Sequence, residues 1–104
     1  MSSDRPSPPD AGAPSNADLV ADAVVAVPGV HGLHAGVLGE VATYLPGRRV
    51  NGVRLLEPGC EIHVVLDLGA PIGATSDLVR QAVRPLVGGP VDVTVEDVVA
   101  PGTA

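Results

Sequence analysis

The sequence is almost without aromatic residues: its 104 residues include no Phe, no Trp and one tyrosine, Tyr44. Aromatic side chains bury large apolar areas, so without them the core has to be built from Val, Leu, Ile and Ala. A core of small aliphatic side chains leaves a domain of this size only marginally stable by itself. Because 45% of the residues are nevertheless hydrophobic, we expect self-association or a partner protein to cover part of the apolar surface.

Cysteine and basic residues are also scarce. The single cysteine, Cys60, excludes an intrachain disulfide and fits a reducing compartment. There is no lysine, and six arginines against twelve acidic residues give a formal net charge of −6. This charge argues against binding to nucleic acid and against direct adsorption to anionic lipid. No run of about 18 apolar residues is present, so we expect no direct membrane insertion.

The chain divides into a tail and one domain. Residues 1–16 are rich in proline and serine and hold almost no large apolar side chain, which predicts a disordered tail. Residues 17–99 carry the periodic apolar pattern and are predicted to form a single domain, followed by a frayed C-terminus at 100–104.

Two segments have the apolar spacing of amphipathic helices. The first lies in 17–27, with capping candidates at Ser15, Asn16 and Asp18. The second begins near Pro71 or Ile72 and ends before Gly88-Gly89. Its predicted buried stripe consists of Ile72, Val79, Ala82, Val83 and Leu86.

The other segments have the alternation of β-strands. Strands are predicted in 36–45, 50–57, 61–68 and 91–99, and residues 30–35 form either a short strand or an irregular extended segment. The pattern therefore predicts an α+β fold: a small two-layer domain with the order helix–three-stranded antiparallel meander–helix–strand, and both helices on one face of the sheet.

The strand in 61–68 has the clearest alternation. Ile62, Val64, Leu66 and Leu68 are predicted to face the core, and Glu61, His63 and Asp67 to face water. In 91–99 the valines face inward, and Asp92, Thr94 and Glu96 face water.

This pattern resembles that of a bacterial protein family, the alkaline-shock or Gls-type envelope stress response proteins. The motifs that carry the resemblance are Val27-Pro28-Gly29-Val30, Gly52-Val53-Arg54-Leu55, the run from Ile62 to Gly69, Ile72 followed by Val79 and Val83, and the closing valines 91, 93, 95 and 98. The chain resembles a short, divergent actinobacterial-type member. The resemblance implies a small cytoplasmic protein without catalysis or cofactors, which forms homo-oligomers and is recruited to the membrane by a small anchor protein.

The candidate contact residues for another protein are charged or polar side chains on the faces that are predicted to be exposed to solvent. They are Arg48, Arg49, His63, Asp67, Arg80, Arg84, Thr94 and Glu96. Arg80 and Arg84 lie one helical turn apart, and the acidic last strand could complement them within one molecule or between two.

Four potential soft ligands suggest an alternative function, a small metal-binding domain that uses His31, His34, Cys60 and His63. Residues three apart on a regular strand point to opposite faces, so each pair would need a turn to converge. Cys60 and His63 could also be a nucleophile and base. No third orienting group or oxyanion-hole signature accompanies them, and we expect neither catalysis nor a bound metal.

Overall fold

Residues 15–101 are described by the structure, a computed structural model. They form an α+β domain with two α-helices, one 3₁₀ turn and two sheets. In chain order the elements are α1 (Asn16–Val25), β1 (Val30–Leu33), β2 (Ala42–Leu45), β3 (Arg48–Asn51), β4 (Val53–Leu55), β5 (Cys60–Asp67), α2 (Ile72–Val83), the 3₁₀ turn (Arg84–Leu86) and β6 (Val91–Val99). Residues 1–14 of the predicted tail and 102–104 of the predicted frayed end lie outside the described residues. No helix between residues 15 and 101 is long and apolar enough to cross a membrane.

α1 begins one residue earlier than predicted because Ser15 forms a complete capping box. The Ser15 hydroxyl accepts the backbone N–H of Asp18 at 3.2 Å, and the Asp18 carboxylate accepts the N–H of Ser15 at 2.8 Å. These bonds satisfy two donors that a helix N-terminus leaves without partners. Val20 and Val24 on the inner side of the helix are fully buried.

β5 is the central strand of a four-stranded sheet. β6 runs parallel along one edge of β5 from Cys60 to Asp67. β4 pairs antiparallel with the first part of β5, and β1 pairs antiparallel with its second part. Because a strand has only two edges, β4 and β1 share the other edge of β5 end to end. The parallel pair has α2 as its connection, as strands in this arrangement require a long crossover.

The predicted strand in 50–57 is divided at Gly52 into β3 and β4. Gly52 has a φ of +83°, and its carbonyl accepts the N–H of His63 at 3.0 Å. A Cβ on this residue would lie 2.7 Å from the Cβ of Leu33. β2 and β3 consequently form a two-stranded sheet of their own. The structure therefore does not confirm a single three-stranded meander.

The predicted strand in 36–45 is shorter than expected. β2 includes only its last four residues, because Gly36 and Gly39 both have positive φ and close a turn with a 3.1 Å hydrogen bond from Gly39 N–H to Gly36 C=O. The side chains at the corners of this turn, Val37 and Leu38, are 85% and 88% exposed.

The core contains side chains from both helices and from the inner side of the four-stranded sheet. Its fully buried members include Val20, Val24, Val53, Ile62, Val64, Leu66, Val79 and Val83. Ile62, Val64 and Leu66 therefore lie where the alternation predicted. Two predicted core residues do not: Leu68 is 65% exposed because it follows the end of β5, and Ile72 is 53% exposed because it is the first residue of α2.

Candidate interaction surface and its buried ionic cluster

A β-bulge in β6 brings a glutamate to the centre of the sheet. Val64 pairs with Val95 and Val65 pairs with Asp97, so Glu96 is an extra residue in β6. Bulges re-aim the side chain of the inserted residue. The Oε2 atom of Glu96 consequently lies 2.5 Å from Nδ1 of His63 on β5. The two-residue gap between Val95 and Val98 in an otherwise alternating sequence was the signal for this bulge.

His63 is bound by a carboxylate at each ring nitrogen. Besides Glu96 at Nδ1, the Oε2 atom of Glu61 lies 2.9 Å from Nε2. Ionised carboxylates only accept hydrogen bonds, and a neutral imidazole has a single N–H donor. Both contacts are therefore satisfied together only when His63 is the doubly protonated imidazolium cation.

The electrostatic environment of His63 favours this protonated form. Burial lowers the pKa of His63, but hydrogen bonds and negative charges from Glu96 and Glu61 outweigh this effect, so the pKa lies above its ordinary value. Arg54 adds a second cation, with its Nε 3.1 Å from Oε1 of Glu61. Arg54, Glu61, His63 and Glu96 are named here the His63 cluster, which combines two positive and two negative charges when His63 is protonated.

His63 is more buried than the sequence pattern predicted. The residue lies on the predicted face of the sheet, yet only 8% of it is exposed. Its side chain is enclosed by the residues that bind it, and Glu96 is also held within the molecule. Neither is therefore a free contact for another protein, and together they tie β6 to β5. Sequence reasoning missed Arg54 and Glu61 as cluster members.

Two of the predicted arginines bind a carboxylate within the chain. Arg48 makes a bidentate contact with the carboxylate of Asp18 in α1, with N···O distances of 2.8 and 2.7 Å. This contact, with the backbone and hydroxyl hydrogen bonds of Ser15, holds the pKa of Asp18 far below its ordinary value. Arg80 binds Asp77 at 2.7 Å, one turn before it in α2.

Arg49 contacts the only aromatic side chain of the protein. Its guanidinium lies 5.9 Å from the ring centre of Tyr44, its cross-strand neighbour in the β2–β3 hairpin, and Nη1 donates to the phenol oxygen at 3.4 Å. Tyr44 is 70% exposed. Tyr and Arg are enriched at protein–protein contacts. The Tyr44–Arg49 pair is therefore an interaction candidate, of which the sequence indicated only Arg49.

The remaining predicted arginine, Arg84, is exposed in the 3₁₀ turn.

The remaining predicted contact residues lie on the two strands of the parallel pair. Asp67 at the end of β5 binds Nδ1 of His31 at 3.1 Å. Thr94, the β6 partner of His63 in the ladder, is exposed. Asp92 and Asp97 of β6 are exposed as well. The outer part of this sheet face is therefore acidic.

The four candidate metal ligands do not converge. Cys60 is fully buried in the core, and burial followed by the charge of Asp92 raises the pKa of its thiol. His63 lies on the opposite sheet face. His34 Nδ1 accepts the N–H of Gly36 at 2.9 Å, and His31 binds Asp67. Among residues 15–101, no three His, Cys, Asp or Glu side chains form a group that could hold a metal ion. The geometry thus gives no support to the metal-binding alternative.

The domain also has a pocket of about 220 Å³. It is lined by Leu55, Leu56, Leu86 and Val87 together with Asn16, Glu57 and glycine backbone. None of the residues that the sequence indicated as contacts or ligands lines it.

Comparisons with known proteins add no relative. No protein-family model matches the chain, no curated protein matches it, and no solved structure matches it.

Proposed function

We propose that this chain is a non-enzymatic structural or interaction protein of the envelope stress response type. It associates with copies of itself in the cytoplasm and is recruited to the membrane by a partner, a small membrane-anchor protein. The observation that carries the proposal is the open outer edge of β6. This strand is nine residues long and pairs, among the described residues, only with β5.

The backbone of β6 supports pairing with another chain. The C=O group of Pro90 accepts the N–H group of Cys60, which fixes the side of β6 that faces β5 in the part of the strand before the bulge. Alternation along the strand then directs the N–H and C=O groups of Val91, Val93 and Val95 away from β5. A row of unpaired backbone groups at a sheet edge is a template for a further strand.

Exposed apolar side chains give further support. Val37 and Leu38 project from a hydrogen-bonded turn, and Tyr44 projects from the β2–β3 hairpin. The Glu40 carboxylate holds this turn by accepting the N–H of Leu38 at 2.9 Å. Ordered apolar side chains outside the core suit a protein whose small aliphatic core gains stability from association.

The layer arrangement completes the proposal. We place α1 and α2 together on the core face of the four-stranded sheet, because both contribute to the core that contains Ile62, Val64 and Leu66. The opposite face, with Thr94 and the acidic residues of β6, then remains for contact with another protein.

Size-exclusion chromatography with light scattering over a hundredfold range of protein concentration tests self-association. We expect a mass that rises above that of one chain as concentration increases. A strictly monomeric chain at the highest concentration would rule out the self-associating function.

Membrane recruitment has a separate test. We expect the protein in its native cells to sediment with membranes, and to be released when the membrane proteins are digested with protease. The purified chain should not sediment with vesicles of anionic phospholipid, because its net charge of −6 opposes binding. Binding to protein-free vesicles would contradict recruitment through a partner.

A further inference from the structure

We infer that self-association is head-to-tail: β3 in the hairpin of one copy pairs with the outer edge of β6, residues 91–95, in the next copy. This inference rests on the proposed self-association and specifies which surfaces meet. Each strand has one edge without a strand partner among the described residues, since β3 pairs only with β2 and β6 only with β5.

The bulge limits the part of β6 that can accept a strand. Glu96 interrupts the regular ladder and is bound to His63. Residues 91–95 before it are regular, with outward backbone groups at alternate positions. β3 is four residues long, from Arg48 to Asn51, so it fits within this regular stretch.

Charge complementarity selects the hairpin as the occupant of this edge. Asp92 is exposed and makes no salt bridge within residues 15–101. Arg49 is exposed on β3, and its described contacts are with Tyr44 rather than with an acid. Side chains on neighbouring strands lie about 5 Å apart, and opposite charges there are favourable.

The same charges disfavour the symmetric alternative. Pairing β6 with β6 of a second copy would bring Asp92 and Asp97 of one strand toward the same acidic residues of the other. Like charges on adjacent strands are destabilising. A hairpin-to-β6 contact uses two different surfaces, so a row of copies ends in one free hairpin and one free β6 edge, and the assembly grows into a filament or closes into a ring.

Charge reversal tests the contact. In Asp92→Arg or Arg49→Asp alone, two like charges would face each other, and we expect association at a concentration at least about tenfold higher than for the wild type. The double variant, Asp92→Arg with Arg49→Asp, restores opposite charges and should associate within about threefold of the wild type by the same reasoning.

Mixing the two single variants is a sharper test. Each variant alone contains only repulsive contacts, whereas an alternating row of the two contains only attractive ones. We expect an equimolar mixture to assemble at concentrations where neither variant does. Asp22→Arg and Arg84→Asp provide matched controls, because both residues are exposed and lie outside the proposed contact; they should associate as the wild type does. Far-UV circular dichroism confirms that each variant is folded.

The outcomes separate the two proposals. If the wild type associates but Arg49→Asp has no effect, or if the mixture stays dissociated, the head-to-tail contact is wrong while self-association stands. If the wild type is monomeric throughout, both the contact and the proposed self-association are wrong.

Discussion

Replacing Glu96 by Gln tests whether the His63 cluster secures β6 to β5. Gln keeps the side-chain size and one acceptor oxygen but removes the negative charge. The side chains of His63 and Glu96 are 10% and 18% exposed, so their contact is largely shielded from water. A hydrogen bond to a charged group contributes about 1.5–3 kcal/mol, and removal of one partner from a fully buried ion pair costs about 3–5 kcal/mol. Because Gln still accepts a bond, we expect a loss of about 2 kcal/mol in the free energy of unfolding at pH 6.

The size of this loss depends on pH with a definite sign. The pKa of His63 in the folded protein lies above its unfolded value of about 6.5. The imidazolium therefore contributes its full stabilisation below about pH 6.5, and this contribution is lost as the pH rises through the folded pKa. The difference between wild type and Glu96→Gln should be largest near pH 6 and shrink at alkaline pH.

Urea denaturation followed by far-UV circular dichroism measures the difference, and an NMR titration of the His63 ring protons measures the pKa. We expect the midpoint for His63 to be lower in Glu96→Gln than in the wild type. Glu57→Gln is the matched control, because Glu57 is exposed in the β4–β5 turn; its effect should stay within about 0.5 kcal/mol. An equal His63 midpoint in both proteins, or a stability difference that does not vary with pH, would refute the role given to Glu96.

Three further predictions concern other parts of the domain. Cys60 is fully buried with a raised thiol pKa, so we expect no reaction with a disulfide reagent in the folded protein and rapid reaction in urea; stoichiometric labelling without denaturant would contradict its position. Gly52→Ala should lower the free energy of unfolding, measured by urea denaturation, by about 3 kcal/mol, because the new Cβ would combine a positive φ with a steric clash. Gly47→Ala also has a positive φ but meets open space, so it should lower the free energy of unfolding by about 1 kcal/mol. Equal losses in the two variants would show that the structure relieves the clash at Gly52. Asp18→Asn and Arg48→Gln should each lower the melting temperature, and the effects of the two substitutions should not be additive in the double variant. This coupling should weaken in 1 M NaCl, because the Asp18–Arg48 ion pair is exposed to solvent. Additive effects would show that the ion pair does not contribute to stability.

The sequence pattern predicted best those elements whose two faces differ in environment. β5 has a buried side and a polar side, so alternation located Ile62, Val64 and Leu66 correctly. The segment 91–99 corresponds to β6 for the same reason. Periodicity was less informative at element ends, where Leu68 and Ile72 are apolar but have no core beside them.

Local periodicity could not show how segments distant in sequence pair. The division of one predicted strand at Gly52 depends on Leu33 and His63 lying against that glycine. A sequence-based prediction sees only an isolated glycine in a strand, which is compatible with a bulge, a bend or a close backbone approach.

The candidate site shows the same limit. His63 was located on the correct sheet face, but its ring is bound by Glu96 and Glu61, which are 33 and 2 residues away in sequence. The alternation placed all three residues on a solvent-exposed face. A pattern of polar residues does not show whether their side chains are hydrated or are buried and bound to one another.

The β2–β3 hairpin is separate from the four-stranded sheet, which implies two levels of protection of backbone amide protons against hydrogen exchange. β5 is hydrogen-bonded along both edges by three segments, so its amide protons should exchange with deuterium only when the whole domain unfolds. The β2–β3 hairpin is attached to the rest of the domain by the Thr43 hydroxyl, which donates to Val53 C=O at 2.6 Å, and by Arg48, which binds Asp18 of α1. Its amide protons should exchange through a smaller opening that leaves β5 intact. We therefore expect the amide protons of the hairpin to exchange faster than those of β5.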